Sequence, residues 1–242
     1  MYKGIYIATS GAILKQTQLE VISQNMANAN TTGYKKDGIS FQEYLFQPEA
    51  GRAPDGRAMS DLSSITTDLS NGTIIRTGNA LDIAIEGDGL LALEGDRYTR
   101  QGNLKKNNDG FLTTQSGVKV LGTGGPIQIP SDSTEISIDS DGKVSVMQPG
   151  STLPSEIDTM RVVEFGKDVN ITKAGDGQLI ASGPGTPSTA GVQQGYLEMS
   201  NVDTIKEMVH MIDTMREFES YQKVIQMFDS AAAKVNNDLG RL

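Results

Sequence analysis

Cysteine and tryptophan are both missing from this 242-residue chain, and histidine occurs once. Without cysteine there is no disulfide framework, no thiolate nucleophile and no cysteine-ligated metal. The lone His210 has no second histidine with which to complete a metal site or a catalytic triad. Aromatic residues make up 5% and hydrophobic residues 37% of the chain, so a core is possible but not one that uses the whole length. Positive charge is the minority, 21 Lys+Arg against 30 Asp+Glu, for a net charge of −9 and a pI of about 4.7. That balance argues against a nucleic-acid partner, and the only basic doublets are Lys35-Lys36 and Lys105-Lys106. No run approaches the ~20 apolar residues of a membrane-spanning helix, so no direct membrane insertion is expected.

A secretory leader is not expected either. Lys3 precedes the mostly apolar run Gly4–Leu14, and Ala27-Asn28-Ala29 imitates a cleavage site. Thr9 and Ser10 interrupt that run, however, and Lys15 and Glu20 separate it from the supposed site.

What the chain does have is helical periodicity at both ends. Ile5, Ala8, Ala12, Lys15, Leu19, Ile22, Met26 and Ala29 recur at spacings of three and four, a coiled-coil seam broken only by Lys15. Ile7, Leu14 and Val21 form a second line beside it, which widens the apolar face and calls for more than one neighbour. A second stripe runs from Val202 to Leu239 through Met208, Met211, Met215, Phe218, Ile225, Phe228, Ala232, Val235 and Leu239. Ser200 is expected to cap this helix with Asp203 in its first turn, and Gly240 to stop it. A β-rich middle offers such stripes nothing obvious to lie on, so their expected partners are each other and copies in other subunits.

Between the helices the apolar period falls to two. Leu81, Ile83 and Ile85 alternate ahead of the turn Glu86-Gly87-Asp88-Gly89, and Ile136 and Ile138 face Val144 and Val146 across Ser140-Asp141-Gly142 as a hairpin. The 27 glycines mostly punctuate such runs. The expected fold is therefore α+β: long N- and C-terminal helices pairing as a coiled-coil-like stalk, with a central all-β domain of meander and hairpins between them. The expected divisions are an N-terminal helix over 1–33, an extended bridging segment over 34–76 and a β domain over 77–185. A linker over 186–199 and a C-terminal helix over 200–242 complete the chain. Phe41, Tyr44, Leu45 and Phe46 suggest a small apolar cluster, and Gln47–Asp61 a polar loop.

Candidate chemistry is thin. Asp139-Ser140-Asp141-Gly142 starts like a calcium loop, but its twelfth position is Gly150 rather than a carboxylate. Gly122-Thr123-Gly124-Gly125 has the look of a phosphate loop, yet Pro126 follows where Lys and Ser/Thr are needed. Ser220 and Lys223 have Ser-x-x-Lys spacing without the companion elements of acyl enzymes. No catalytic residue, metal, cofactor or small-molecule substrate is expected.

Three segments carry a family resemblance. Ser23-Gln24-Asn25-Met26-Ala27-Asn28-Ala29-Asn30-Thr31-Thr32-Gly33-Tyr34-Lys35 resembles the N-terminal signature of bacterial flagellar rod and hook proteins, and Gly195-Tyr196-Leu197-Glu198-Met199-Ser200-Asn201-Val202 their C-terminal one. Leu81–Gly89 and Tyr98-Thr99-Arg100-Gln101-Gly102-Asn103 are similar to the family's middle. The resemblance implies a structural subunit of the flagellar basal-body rod, passing torque through the periplasm. It also implies self and other rod subunits as partners, with export uncleaved through the flagellar type III apparatus. The short Gln47–Asp61 loop and Val120–Ile127 look more like the proximal-rod type than the distal. The expected subunit interface comprises Ile5, Ala8, Ala12, Leu19, Ile22 and Met26 on the first helix, and Asn25, Asn28, Thr31, Gly33 and Tyr34 around its exit. On the last helix it comprises Met208, Met211, Met215, Phe218, Ile225, Phe228, Ala232, Val235 and Leu239. The alternative is a secreted β-rich adhesin module on a helical oligomerisation stalk.

Overall fold

The computed structural model describes residues 2–45, 58–150, 153–166 and 168–239, with side chains over 4–39, 65–150, 153–166 and 168–234. Helix α1 runs Tyr2–Ala27 and helix α2 Thr204–Leu239, with strands between them. The α+β reading with helical ends and a β-rich middle is what the structure has. Among the described residues no helix is long and apolar enough to cross a membrane. The chain forms two compact units: the described parts of Met1–Ala27, Asp37–Thr66 and Asp203–Leu242, and those of Asn28–Lys36 with Thr67–Val202.

In the first unit α1 and α2 lie against each other. Asp37–Leu45 and Ala58–Thr67 pair there as a two-stranded sheet. Residues 58–61, expected in a loop, thus belong to a strand. The rest of that loop, the side chains of Phe41, Tyr44, Leu45 and Phe46, and the Gly240 stop lie outside the described residues. Helix α1 ends two residues before Ala29, where Asn28 and Thr31 close a turn through a Thr31 N–H to Asn28 O bond of 3.1 Å. Helix α2 starts four residues after Ser200. Asp203 is its cap, accepting from the amides of Ile205 (3.1 Å) and Lys206 (3.2 Å). The Lys206 amide first among these groups holds the Asp203 carboxyl below its ordinary range. Ser200 accepts instead from Val202 N–H at 3.3 Å. A serine can cap only if helical geometry begins at once, and residues 201–203 are not helical.

The second unit is antiparallel throughout its main sheet. Six strands lie in the order Ile171–Gly175, Gln178–Ala181, Arg97–Thr99, Leu90–Leu93, Val162–Glu164 and Thr186–Pro187. Ser155–Thr159, Lys143–Met147 and Glu135–Ile138 form a second sheet, in which Val144 faces Ile138 and Val146 faces Ile136 as the alternation requires. The turn between them is closed by Asp139, whose Oδ1 accepts from Asp141 N–H and Lys143 N–H, and by Gly142 at φ 78°. The calcium-like spelling is thus a hairpin turn.

Stretch 186–199 is not a linker. Thr186–Pro187 pairs with Val163–Glu164, Gly191–Gln194 with Ile83–Glu86, and Tyr196–Glu198 with Ile74–Arg76. Proline is admissible because Thr186–Pro187 is an edge strand. The core gathers Ile83, Ile85, Leu91, Leu93, Leu112, Val120, Ile127, Ile129, Val144 and Val146, all but closed to solvent. Each large aliphatic side chain so buried stabilises the unit by roughly 1.5–3 kcal/mol.

Candidate functional site

The three signature segments meet inside the second unit. Gly33 donates its N–H to Glu198 O at 2.7 Å, and a side chain at Gly33 (φ 65°) would run into the Arg100 carbonyl. Glycine is obligatory there on both counts. Gly72, in the extended stretch, and Gly102 are equally confined: a methyl group would strike Met199 O at the first and Ile83 O at the second. The segments are thus backed onto one another at backbone distance.

At this junction sits a buried ion cluster. Lys35, Arg100 and Glu198 are 3%, 5% and 2% exposed. Glu198 Oε1 accepts from Lys35 Nζ at 2.7 Å and from Gly72 N–H at 2.7 Å, and Oε2 accepts from Arg100 Nε at 2.5 Å. Arg100 directs its remaining donors to Gly89 O, Ile85 O, Gly87 O and Asn71 Oδ1. Lys35 also donates to Ser70 O at 2.7 Å. One carboxylate therefore bridges two cations, and backbone carbonyls take up the cationic surplus. Burial pushes the Glu198 carboxyl up, but bonds from Lys35, Gly72 and Arg100 outweigh it and leave the group below its ordinary range. Burial pushes the Lys35 ammonium down, and Glu198 only partly restores it. Buried charges survive only with such complete pairing.

Asn201 makes a second tie. Its Oδ1 accepts from Lys36 N–H at 2.7 Å while its Nδ2 donates to Asp68 O (2.9 Å) and Ser70 O (3.1 Å). Tyr34 is buried, with Lys173 Nζ 3.8 Å from its ring centroid. A cavity of about 270 Å³ beside the cluster is lined by Leu69, Leu90, Val163 and Phe165 together with Lys35 and Arg100. That falls below the usual size of a small-molecule pocket.

The Gly122-Thr123-Gly124 loop does cradle an anion, but the chain's own. Asp158 accepts from Thr123 Oγ1 (2.7 Å), Gly124 N–H (3.1 Å) and Thr159 N–H (2.7 Å).

In the first unit the helices run antiparallel in a fixed register. Gly4 lies under the Phe228 ring, Gly11 under the Tyr221 ring, and Lys15 Nζ bonds Glu217 at 2.5 Å. The contacts climb α1 by seven and then four residues while descending α2 by the same steps. A methyl group at Gly4 would sit 2.6 Å from Phe228 Cζ, and one at Gly11 2.6 Å from Tyr221 Cε1. The two aromatic rings thus lie against glycines, where any larger residue would collide with them.

Ala8, Ala12 and Ile22 are buried beside this seam, whereas Ile5, Leu19 and Met26 are half-buried. On α2, Met211, Phe218, Ile225, Phe228 and Ala232 are half-buried, while Met208 (48%) and Met215 (54%) are exposed. The side chains of Val235 and Leu239 lie outside the described residues. Asn25 is 2% exposed and brackets Asp37, donating to its carbonyl and accepting from its amide, both at 2.9 Å. Asn25, Gly33 and Tyr34 are thus closed in by their own chain. His210 is exposed on α2.

Comparison with known proteins matches three family models in order along the chain. They are flagella basal body rod protein over residues 5–35, the flagellar hook protein FlgE/F/G D1 domain over 84–146, and the flagellar basal body rod FlgEFG protein C-terminal over 193–238. The flagellar basal-body rod protein FlgG of Bacillus subtilis is 35% identical over 98% of this chain and 99% of its own length. That of Agrobacterium fabrum is 33% identical over the same shares. The flagellar basal-body rod protein FlgF of Caulobacter vibrioides is 30% identical over 100% of this chain and 98% of its own. The Bacillus alignment spans 263 positions against 242 residues, so that relative carries residues this chain lacks.

Proposed function

This chain belongs to the flagellar basal-body rod protein family, and from that premise we propose that it polymerises through its terminal helices into the axial drive shaft that carries torque across the periplasm. Members of the family are structural proteins and not enzymes, and membership sets aside the adhesin alternative. The observation that carries the proposal is the match to rod proteins along nearly the whole chain, taken with the open apolar residues of the helical unit. FlgG is a distal and FlgF a proximal rod protein. The higher identities are to FlgG, so they favour the distal type, and the proximal-rod expectation is not carried forward.

The helix pair acts in this reading as a stalk with coiled-coil-like packing. Its seam joins α1 to α2 within a chain, and its outer faces, Met208 and Met215 among them, join other subunits. Rod subunits of other kinds and the flagellar type III export apparatus are the further partners, with the chain exported uncleaved. Purified chain sedimented at rising concentration is expected to give assemblies that grow without a fixed endpoint, visible as filaments in electron micrographs. A closed oligomer of constant number would contradict the proposal.

A further inference from the structure

Asparagine is followed by glycine once in the chain, at Asn71-Gly72, and this pair abuts the buried ion cluster. Arg100 Nη2 donates to Asn71 Oδ1 at 3.0 Å, and Gly72 N–H donates to Glu198 Oε1 at 2.7 Å. Asparagine is thermolabile in proteins, because the next backbone nitrogen can attack its side-chain amide. A following glycine leaves that nitrogen unshielded by any side chain. Here both ends of the attack are served. The guanidinium stands where the carboxamide oxygen would gather negative charge. The Glu198 carboxylate stands on the proton that the nitrogen must give up. Asn71 itself is exposed, so water reaches it.

The charge balance favours the product. Lys35 and Arg100 bring two buried positive charges against the one negative charge of Glu198, which leaves a surplus. Asp88 and Glu164 line the adjoining cavity but are exposed, where water screens them. We propose that Asn71 is a self-modification site, cyclising onto Gly72 and hydrolysing to an aspartate that pairs with Arg100 and neutralises the cluster. Gly72 N bonds to Asn71 Cγ as its proton passes to Glu198, and the amide nitrogen departs with that proton as ammonia. Water then opens the ring. Attack at Cγ returns the N–H to Gly72 and leaves an ordinary aspartate. Attack at the backbone carbonyl gives isoaspartate, with an extra methylene in the main chain ahead of Gly72. There is no slack for it: a methyl group on Gly72 would strike Met199 O, and Met199 N–H bonds Thr73 O at 2.9 Å. The fold therefore selects aspartate.

Purified full-length chain, folded or in urea, is aged at neutral pH, and the peptide carrying Asn71 is mapped for aspartate and isoaspartate. The folded chain is expected to give several-fold more aspartate than isoaspartate, and the urea sample an excess of isoaspartate. The same isoaspartate excess from both samples overturns the proposal. So does a folded chain that stays unconverted while the urea sample converts. A full-length Asn71→Asp chain supplies the second reading. Its urea midpoint at neutral pH is expected to lie above that of the unaltered chain at constant slope. A midpoint unchanged or lowered overturns the pairing with Arg100.

Discussion

The second unit finishes its chemistry within one chain, whereas the first leaves much of its own undone. Around Glu198 every charge has an opposite charge or a carbonyl, and Val120, Leu91 and Leu93 are 1% exposed or less. On the helices, Tyr6, Ile13, Ile205, Met208 and Met215 stand at 48–77% exposure. The contrast assigns different work to the two. A closed β unit holds its shape alone, while a helix pair with only its seam covered has surface reserved for neighbours.

Removing the buried carboxylate breaks the closed side of the comparison most severely. Glu198→Ala leaves Lys35 and Arg100 buried without their anion, at a cost of about 3–5 kcal/mol, read as a lower denaturation midpoint at constant slope. The seam is next. Gly11→Leu drives side-chain atoms into Tyr221, and overpacking of this kind costs about 1–3 kcal/mol. Loss of helical signal on mild heating reports it, and Tyr221→Ala in the same chain should restore part.

Acid then sharpens the difference between the units. Glu198 is held below its ordinary range, so the stability it supplies is complete above the unfolded value of about 4.3 and falls away as pH drops through the folded one. Asp158 is lowered too: burial pushes it up, and bonds from Thr123 and the Thr159 and Gly124 amides overcome that. Lys35 has the opposite sign. Its penalty stands at neutral pH and is relieved as pH rises towards the unfolded value of about 10.4. Glu198→Gln should therefore start from lower stability at neutral pH but lose it less steeply than the unaltered chain as pH falls below about 4.3, followed by β-sheet signal; an equally steep fall would assign the acid sensitivity to another carboxylate.

The smallest effect on one chain is the largest on many. Met215→Asp adds a charge at an exposed position, so monomer stability should change by no more than about 0.5 kcal/mol. Assembly, however, should be abolished, because the charge would be desolvated in the contact. Normal assembly would remove Met215 from the interface.

The helices, their approximate ends and the 136–146 hairpin were readable from periodicity alone. Members of the stripe do lie at the helix contact, with Ala8, Ala12 and Ile22 buried and Lys15 bonded to Glu217, but Gly4 and Gly11, which also face α2, had no place in it. An apolar stripe gives glycine no weight, and the space it leaves is visible only once the ring that fills it is known. The ion cluster escaped for a related reason. Lys35, Arg100 and Glu198 are far apart in the chain, and a charged residue normally signals solvent. The usable clue was Glu198 between Leu197 and Met199 in a segment otherwise suited to a buried strand. Glycine and proline concealed the strands of 186–199, since neither has a pattern of its own.

Peroxide footprinting tests the division between the closed unit and the open one most directly. In dilute full-length chain, Met208, Met215 and Met227 (62% exposed) should become sulfoxides readily, and Met160 (4%) should not. After assembly, Met208 and Met215 should be protected while Met160 stays as it was. Protection of those helix methionines already in the dilute chain, or equal reactivity before and after assembly, would contradict the account.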